Sequence, residues 1–222
     1  MGSDRKIILL GAGGHCLSVI DTLLSSCQFE KIGILDRNKY EDGIDRIMGV
    51  PVLGGDEMLN ALFQDGYTDA FITVGSIGDY SIRRRLYHRI KEIGYNIPNI
   101  VDETSVISKF TVLGEGIYIG KRVVVNAHAN IENMVILNTS CTIEHECIIG
   151  AYVHVAPGSV ICGNVQIGQG THIGAGSVIK QGLHIGADAM IGLGSVVVAD
   201  ITDRAIAYGN PCRISNKNRK DL

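Results

Sequence analysis

The most constraining feature of this 222-residue sequence is a set of aliphatic residues spaced six apart. From Ile107 to Val197 every sixth residue is Ile, Leu or Val, sixteen positions in succession without a change of register. Neither an α-helix, with 3.6 residues per turn, nor an alternating strand, with a period of two, produces this spacing. A parallel β-helix with three flat faces does, because each face contributes one inward aliphatic residue per coil. The repeat therefore predicts about five coils, paired about 4.8 Å apart.

Residues 1–100 lack this repeat and show a different pattern. A buried strand in "KIILL" runs through a glycine turn into a helical segment, and further strands are predicted to end at Asp36 and Gly75. Strands that alternate with helices indicate a small parallel α/β sheet of Rossmann-like type. We therefore expect a Rossmann-like α/β domain over residues 1–100. A parallel β-helix of hexapeptide repeats should follow over residues 101–222, ending in a C-terminal closing segment.

Composition narrows the function classes. The formal net charge is −3 and no basic face is implied, so we expect no nucleic-acid partner. The longest apolar stretch, Met190 to Ala199, is about half a membrane span, and we expect no membrane association. Six cysteines show no CxxC or framework spacing. Together with the absence of a signal-like start, this predicts a cytoplasmic chain with reduced thiols.

A glycine loop, "GAGGH" at residues 11–15, lies directly between the first predicted strand and helix. Such a loop lets a ligand approach the backbone, and a helix N-terminus favours phosphate. Ligands of parallel sheets gather at the carboxyl ends of the strands. The residues selected in this way for a nucleotide-sugar are Gly13, Gly14, His15, Asp36 and Gly75. Cys16 occupies the third glycine position of the dinucleotide fingerprint, which disfavours a dinucleotide. A turn without a ligand remains an alternative.

The richest chemistry lies around His145 and Glu146. Acyl transfer needs a base that removes a proton from the nucleophile, and a histidine beside a carboxylate supplies one. Neighbouring side chains on a flat strand point apart, so this pair requires a turn; the alternative is a solvated surface pair. His154 and His172 are 18 residues apart and should stack on adjacent coils, whereas His184 should lie on another face.

Three stretches together resemble a known family: the glycine loop, the segment "NTSCTIEHECIIG" at 138–150 and the hexads. They are similar to the left-handed β-helix acyltransferases that N-acetylate bacterial nucleotide-sugars, of the UDP-4-amino-sugar and perosamine type. The segment "GVPVLGG" at 49–55 is closest to the perosamine and sialic-acid O-acetyltransferase branches. The resemblance implies a left-handed β-helix, acetyl-CoA as acyl donor, a nucleotide-sugar acceptor, a homotrimer and no metal. Arg37 stands where some members carry a second acid.

The resemblance also implies residue roles. His145 would be the general base, Glu146 its partner, and Asn138 would lie near the substrate amine. Acetyl-CoA would be held by His154 near the thioester, with the backbone at Ala175, Gly192 and Leu193 lining the pantetheine groove. Arg213 and Lys217 either meet the CoA phosphates or belong to a solvated tail.

Several alternatives stay open at this point. The closest is O-acetylation of a sugar hydroxyl, such as that of sialic acid, because the same histidine could serve either acceptor. A hexapeptide-repeat carbonic anhydrase would need three zinc histidines, and a non-catalytic scaffold would need no base. The sequence also does not decide between UDP, GDP and CMP, or identify the sugar and the exact acyl group.

Overall fold

A computed structural model describes residues 5–215 of the chain. The chain divides into two compact units whose boundary in the sequence falls between Ile100 and Val101, except that Ile77–Asp79 group with the second unit. No helix among residues 5–215 is long and apolar enough to cross a membrane. The two units are described separately below.

The first unit contains a five-stranded sheet. Its strands are β1 (Lys6–Leu10), β2 (Lys31–Leu35), β3 (Arg46–Ile47), β4 (Val50–Gly54) and β5 (Asp69–Ile72). The spatial order is β3-β4-β2-β1-β5, and all neighbours are parallel except the hairpin of β3 and β4. The predicted parallel sheet is confirmed, and the hairpin adds two strands to one edge of it.

Four helices accompany this sheet: α1 (Gly14–Ser26), α2 (Arg37–Glu41), α3 (Leu59–Gln64) and α4 (Ser81–Ile93). A 3₁₀ turn covers Asp56–Met58. The glycine turn before α1 depends on Gly11, whose φ of +103° is unfavourable for other residues and whose added Cβ would lie 2.7 Å from Val74 Cγ2. This residue therefore fixes the close approach of β1 and the segment that follows β5.

The second unit is a parallel β-helix of short strands. In chain order these are β6 (Ile100–Val101), β7 (Val106–Ile107), β8 (Val112–Leu113), β9 (Tyr118–Ile119), β10 (Val124–Val125), β11 (Asn130–Ile131), β12 (Ile136–Leu137), β13 (Thr142–Ile143), β14 (Ile148–Ile149), β15 (His154–Val155), β16 (Val160–Ile161), β17 (Gln166–Ile167), β18 (His172–Ile173), β19 (Val178–Ile179), β20 (His184–Ile185), β21 (Met190–Ile191), β22 (Val196–Val197), β23 (Ile206–Tyr208) and β24 (Arg213–Ile214). Every third strand pairs in parallel with a register of 18 residues, as the hexads predict.

These strands form three faces. Face 1 contains β7, β10, β13, β16, β19 and β22; face 2 contains β8, β11, β14, β17 and β20. Face 3 contains β6, β9, β12, β15, β18, β21, β23 and β24, of which only β24 is antiparallel to its neighbour. Because consecutive strands belong to successive faces, each corner of the prism lies opposite the third face.

The core of the β-helix is the column of hexad residues. Fourteen of the sixteen are at most 2% exposed, and only Ile107 and Leu113, at the first coil, are partly buried. Each buried aliphatic side chain stabilises the fold by about 1.5–3 kcal/mol relative to exposure. The corners have their own period, since every sixth residue from Gly116 to Gly194 has a left-handed φ. This conformation turns the backbone at each corner.

Candidate active site

His145 and Glu146 occupy a corner between β13 on face 1 and β14 on face 2. The φ of +59° at Glu146 turns the chain there, so two adjacent side chains meet instead of pointing apart. His145 Nδ1 lies 3.0 Å from Glu146 Oε2. Because the carboxylate only accepts, Nδ1 is the donor and Nε2 is left as the basic nitrogen. The two side chains are 60% and 63% exposed, so Nε2 is accessible to a substrate.

The coil above contributes a residue that the sequence analysis did not select. Gly163 occupies the same corner position as His145, one register of 18 residues further on. A Cβ at Gly163 would lie 2.5 Å from His145 Nε2 and 2.6 Å from Cε1. The imidazole ring therefore lies against the α-carbon of this glycine. The 18-residue coil period was the signal that could have identified it.

An apolar groove of about 390 Å³ runs along face 3. Four residues expected along the pantetheine groove, His154, Ala175, Gly192 and Leu193, all line it. The remaining lining residues are Ile77, Ala156, Pro157, His172, Gly174, Met190 and Ile191. The sequence prediction thus brings four dispersed residues to one surface, whose apolar character suits a thioester and an alkyl arm.

Two histidines and an amide form the polar part of this groove. His154 and His172 are paired in register on β15 and β18, and their ring centroids are 4.8 Å apart, which confirms the predicted stacking. Asn138 Nδ2 lies 3.5 Å from His154 Nε2. Burial, reinforced by the neighbouring His154, lowers the pKa of His172 to about 4. His172 is therefore a neutral imidazole at neutral pH. His184 lies on face 2, as predicted.

The base and the groove lie on different sides of the β-helix. His145 is at the corner between faces 1 and 2, whereas His154 and Asn138 belong to face 3, opposite that corner. One chain therefore does not bring the base and the groove residues into one pocket.

A polar pocket of about 410 Å³ lies in the first unit, at the carboxyl ends of β1 and β2. It is lined by Gly11, Leu35, Asp36, Arg37, Asn38, Asp56, Glu57, Val74, Ile82, Arg85, Leu86 and Arg89. Arg85 and Arg89 come from α4 and, with Arg37, give this wall three guanidinium groups. The sequence analysis missed Arg85 and Arg89, which it assigned only to the basic side of a helix.

Of the residues selected for the nucleotide-sugar in this unit, only Asp36 lines the pocket. Its carboxylate accepts hydrogen bonds from Ala12 N (2.8 Å) and Lys39 N (3.1 Å), so it holds the glycine loop and caps α2. Gly13 and Gly14 face open space, and an added Cβ at Gly75 would lie 3.8 Å from His15 Cβ. These four residues lie beside the pocket, along the glycine loop.

Arg37 has a local partner. Its Nη2 lies 2.7 Å from Glu57 Oε2, and this hydrogen bond lowers the pKa of the Glu57 carboxyl. Glu57 also accepts from the N–H of Gly55. The residue that replaces the second acid of some family members is therefore held in place by an acid from elsewhere in the chain.

The cysteines near the His145 corner are packing residues, as predicted from their hexad phase. Cys141 and Cys147 are fully buried, and burial raises the pKa of their thiols to about 12 and about 11. A thiol held protonated in this way is a poor nucleophile. This disfavours a relay through either thiol and favours direct transfer between donor and acceptor. In residues 5–215, no three His, Cys, Asp or Glu side chains are grouped closely enough to hold a metal ion.

Fold and site together define a hexapeptide-repeat acyltransferase with an attached nucleotide-binding domain. Residues 6–90 match the family model of the PglD N-terminal domain. PerB from Caulobacter crescentus, solved with CoA and GDP-perosamine, is 32% identical over 95% of this chain and 97% of its own, with a TM-score of 0.87. The acetyltransferase domain of PglB from Neisseria gonorrhoeae, solved with acetyl coenzyme A, is 30% identical over 96% of this chain and 100% of its own, with a TM-score of 0.86.

The chain belongs to the hexapeptide-repeat family of nucleotide-sugar N-acetyltransferases. Membership confirms the expected fold, including the left-handed sense of the β-helix, and the expected enzyme class. It also decides against the carbonic anhydrase and the non-catalytic scaffold that the sequence left open.

Proposed function

We propose that the protein transfers the acetyl group of acetyl-CoA to the amine of a nucleotide-linked amino-deoxy sugar, with His145 as general base. The observation that carries this proposal is the 3.0 Å contact between His145 Nδ1 and Glu146 Oε2, which leaves Nε2 accessible. It occurs in a chain 32% identical to an enzyme whose structure holds both CoA and GDP-perosamine.

The geometry supports a direct transfer. The neutral amine attacks the thioester carbonyl carbon, and Nε2 of His145 accepts the proton that this nitrogen loses. Glu146 accepts from Nδ1–H, which fixes the ring and stabilises the imidazolium that forms. The carbon–sulfur bond then breaks, and the imidazolium returns its proton to the departing CoA sulfur. The products are the N-acetylated sugar and CoA-SH, with the base regenerated.

The groove on face 3 is the proposed acetyl-CoA site. Its apolar walls at Ala175, Gly192 and Leu193 suit the pantetheine arm. His154 lies at its polar end, 3.5 Å from Asn138, where a donor to the thioester oxygen is useful. The neutral state of His172 avoids an unpaired charge beside this arm. For the CoA phosphates, Arg213 is exposed at the surface, whereas Lys217 lies outside the described residues.

We propose that the active enzyme is a homotrimer in which each site takes its base from one copy and its groove from the next. Because the His145 corner lies opposite face 3, a second copy is needed to unite them. Face 1 supplies a suitable contact, since its outward column is apolar apart from Thr142. This column consists of Val106, Val124, Thr142, Val160, Val178 and Val196.

We assign residues 1–100 to the nucleotide-sugar and residues 101–222 to acetyl transfer. The three arginines at the pocket of the first unit are suited to the diphosphate, and Asp36 and the open backbone at Gly13 and Gly14 are suited to the nucleoside. We place the reaction in the cytoplasm, where acetyl-CoA is available and the six free cysteines stay reduced.

The test is CoA-thiol release with a panel of acceptors. GDP- and UDP-linked 4-amino sugars are compared with the matched 4-hydroxy sugars and with free sialic acid. Turnover is expected with an amino sugar on one nucleotide and not with its hydroxyl counterpart, and the product should carry an amide. Turnover only with sialic acid or the hydroxyl sugars would replace the proposal with O-acetylation.

A further inference from the structure

We infer that Gly163 is a positioning residue for catalysis: its lack of a side chain sets the place of the His145 imidazole. A Cβ at this position would lie 2.5, 2.6 and 3.1 Å from Nε2, Cε1 and Cδ2 of that ring. Real Cβ contacts below 3.0 Å essentially do not occur, so the ring and a side chain at 163 cannot both hold their places. This inference rests on the proposed role of His145 as base.

The fold itself does not require glycine at this position. Gly163 has no left-handed φ, and the tight corner is made by the next residue, Asn164, with a φ of +56°. Other coils carry side chains at the same corner position, namely Ala127, His145 and Gln181. The clash that an added methyl group would create is with the imidazole and not with the coil.

The ring has little freedom to give way without a loss of function. Its Nδ1 is tied to Glu146 at 3.0 Å, and the atom closest to the added Cβ is the basic Nε2. Relieving the clash therefore either breaks the contact with Glu146 or displaces Nε2. A misplacement of about 1 Å at a reacting group can cost on the order of a hundredfold in rate. Because His145 is largely exposed, the displaced ring can move into solvent and leave the coil folded.

The experiment is a double-mutant cycle of Gly163→Ala and His145→Ala, measured as kcat and KM in the CoA-thiol assay. Gly163→Ala alone should lower kcat by at least about tenfold and change either KM by less than about twofold. In the His145→Ala background the same substitution should cause no further loss, because the ring it displaces is gone. Gln181→Ala, at the same corner one coil further, is the matched control and should retain wild-type kcat.

The outcomes separate this inference from the proposed function. If His145→Ala retains activity, the base assignment fails; if only Gly163→Ala retains it, the positioning role fails alone. An equal loss from Gly163→Ala in both backgrounds overturns the inference as well. Should Gly163→Ala unfold, the stability of the double variant decides. Recovery to the level of His145→Ala supports the ring clash, and equal destabilisation assigns Gly163 to coil packing instead.

Discussion

At the scale of single residues, the His145–Glu146 pair shows how a local backbone conformation creates chemistry. Two adjacent residues make a side-chain contact of 3.0 Å only because Glu146 adopts a left-handed φ at a corner. The corner exists because the hexad period forces a turn every six residues. The catalytic geometry is thus a by-product of the repeat, filled with a histidine and an acid at one of many equivalent turns.

The role of the carboxylate can be isolated with Glu146→Gln. The amide oxygen can still accept from Nδ1–H, so the ring stays oriented, but the charge that stabilises the imidazolium is lost. We expect kcat to fall by about tenfold or more, with KM for acetyl-CoA unchanged. Steady-state kinetics test this. Wild-type kcat in Glu146→Gln would show that the charge is not used.

Asp36 has a structural task that predicts two effects of Asp36→Ala. The variant loses hydrogen bonds to Ala12 N and Lys39 N, and with them the cap of α2. Loss of such a cap costs about 1 kcal/mol, so the free energy of unfolding should fall by about that amount. The loosened glycine loop should also raise KM for the nucleotide-sugar and leave KM for acetyl-CoA unchanged. Denaturant titration and kinetics test both, and an unchanged KM for the nucleotide-sugar would remove Asp36 from the binding site.

Residue-level prediction from sequence succeeded where a chemical pattern marks the position. His145 and Glu146 form a recognisable acid–base pair, and their contact is as anticipated. Gly163 has no functional group, so its relation to His145 emerges only from the 18-residue register. Arg85 and Arg89 are ordinary exposed helix residues in sequence, and only the fold shows which pocket they line.

At the scale of elements, the hexad period is a far stronger signal than the helical period. The β-helix strands follow the repeat throughout, whereas the buried face of α4 differs from the one expected. The pattern predicted Ile82, Leu86, Ile90 and Ile93 opposite the basic residues, but Ile82 is 47% exposed and Arg83 is fully buried. Arg83, Leu86 and Ile90 share the buried face, because a hydrogen bond to Ser76 Oγ makes burial of the guanidinium tolerable.

The paired strands β15 and β18 predict a pH dependence of stability. His172 has a pKa of about 4 in the fold, below its ordinary 6.5, so the unfolded chain binds a proton that the folded chain does not. Stability is therefore lost as the pH falls from about 6.5 towards about 4. At pH 5 this amounts to roughly 2 kcal/mol relative to pH 7.

His172→Met tests this dependence, since the next coil already carries Met190 at the paired position. Urea unfolding at pH 7 and pH 5 should show a smaller loss of stability in the variant than in the wild type. Equal losses in both proteins would mean that His172 does not titrate as its burial demands.

At the scale of the whole molecule, the division of labour within the β-helix makes the sharpest prediction. The base lies at one corner and the groove on the opposite face, so two defective chains can repair each other in a mixed trimer. His145→Ala removes the base, and Ala175→Trp blocks the groove. Co-expressed in equal amounts, each inactive variant should yield trimers with about a quarter of wild-type activity, because half the bases and half the grooves are intact. Activity no greater than that of the separate variants would contradict a shared site.

The account depends most directly on His145 as the base of acetyl transfer to a nucleotide-linked amino sugar. The decisive measurement is kcat of wild type and His145→Ala with acetyl-CoA and the preferred amino-sugar acceptor, both saturating. The account predicts a fall of about a hundredfold or more with little change in KM, since the imidazole acts on the proton in flight and not on substrate binding. Turnover of His145→Ala within a few-fold of wild type would contradict it.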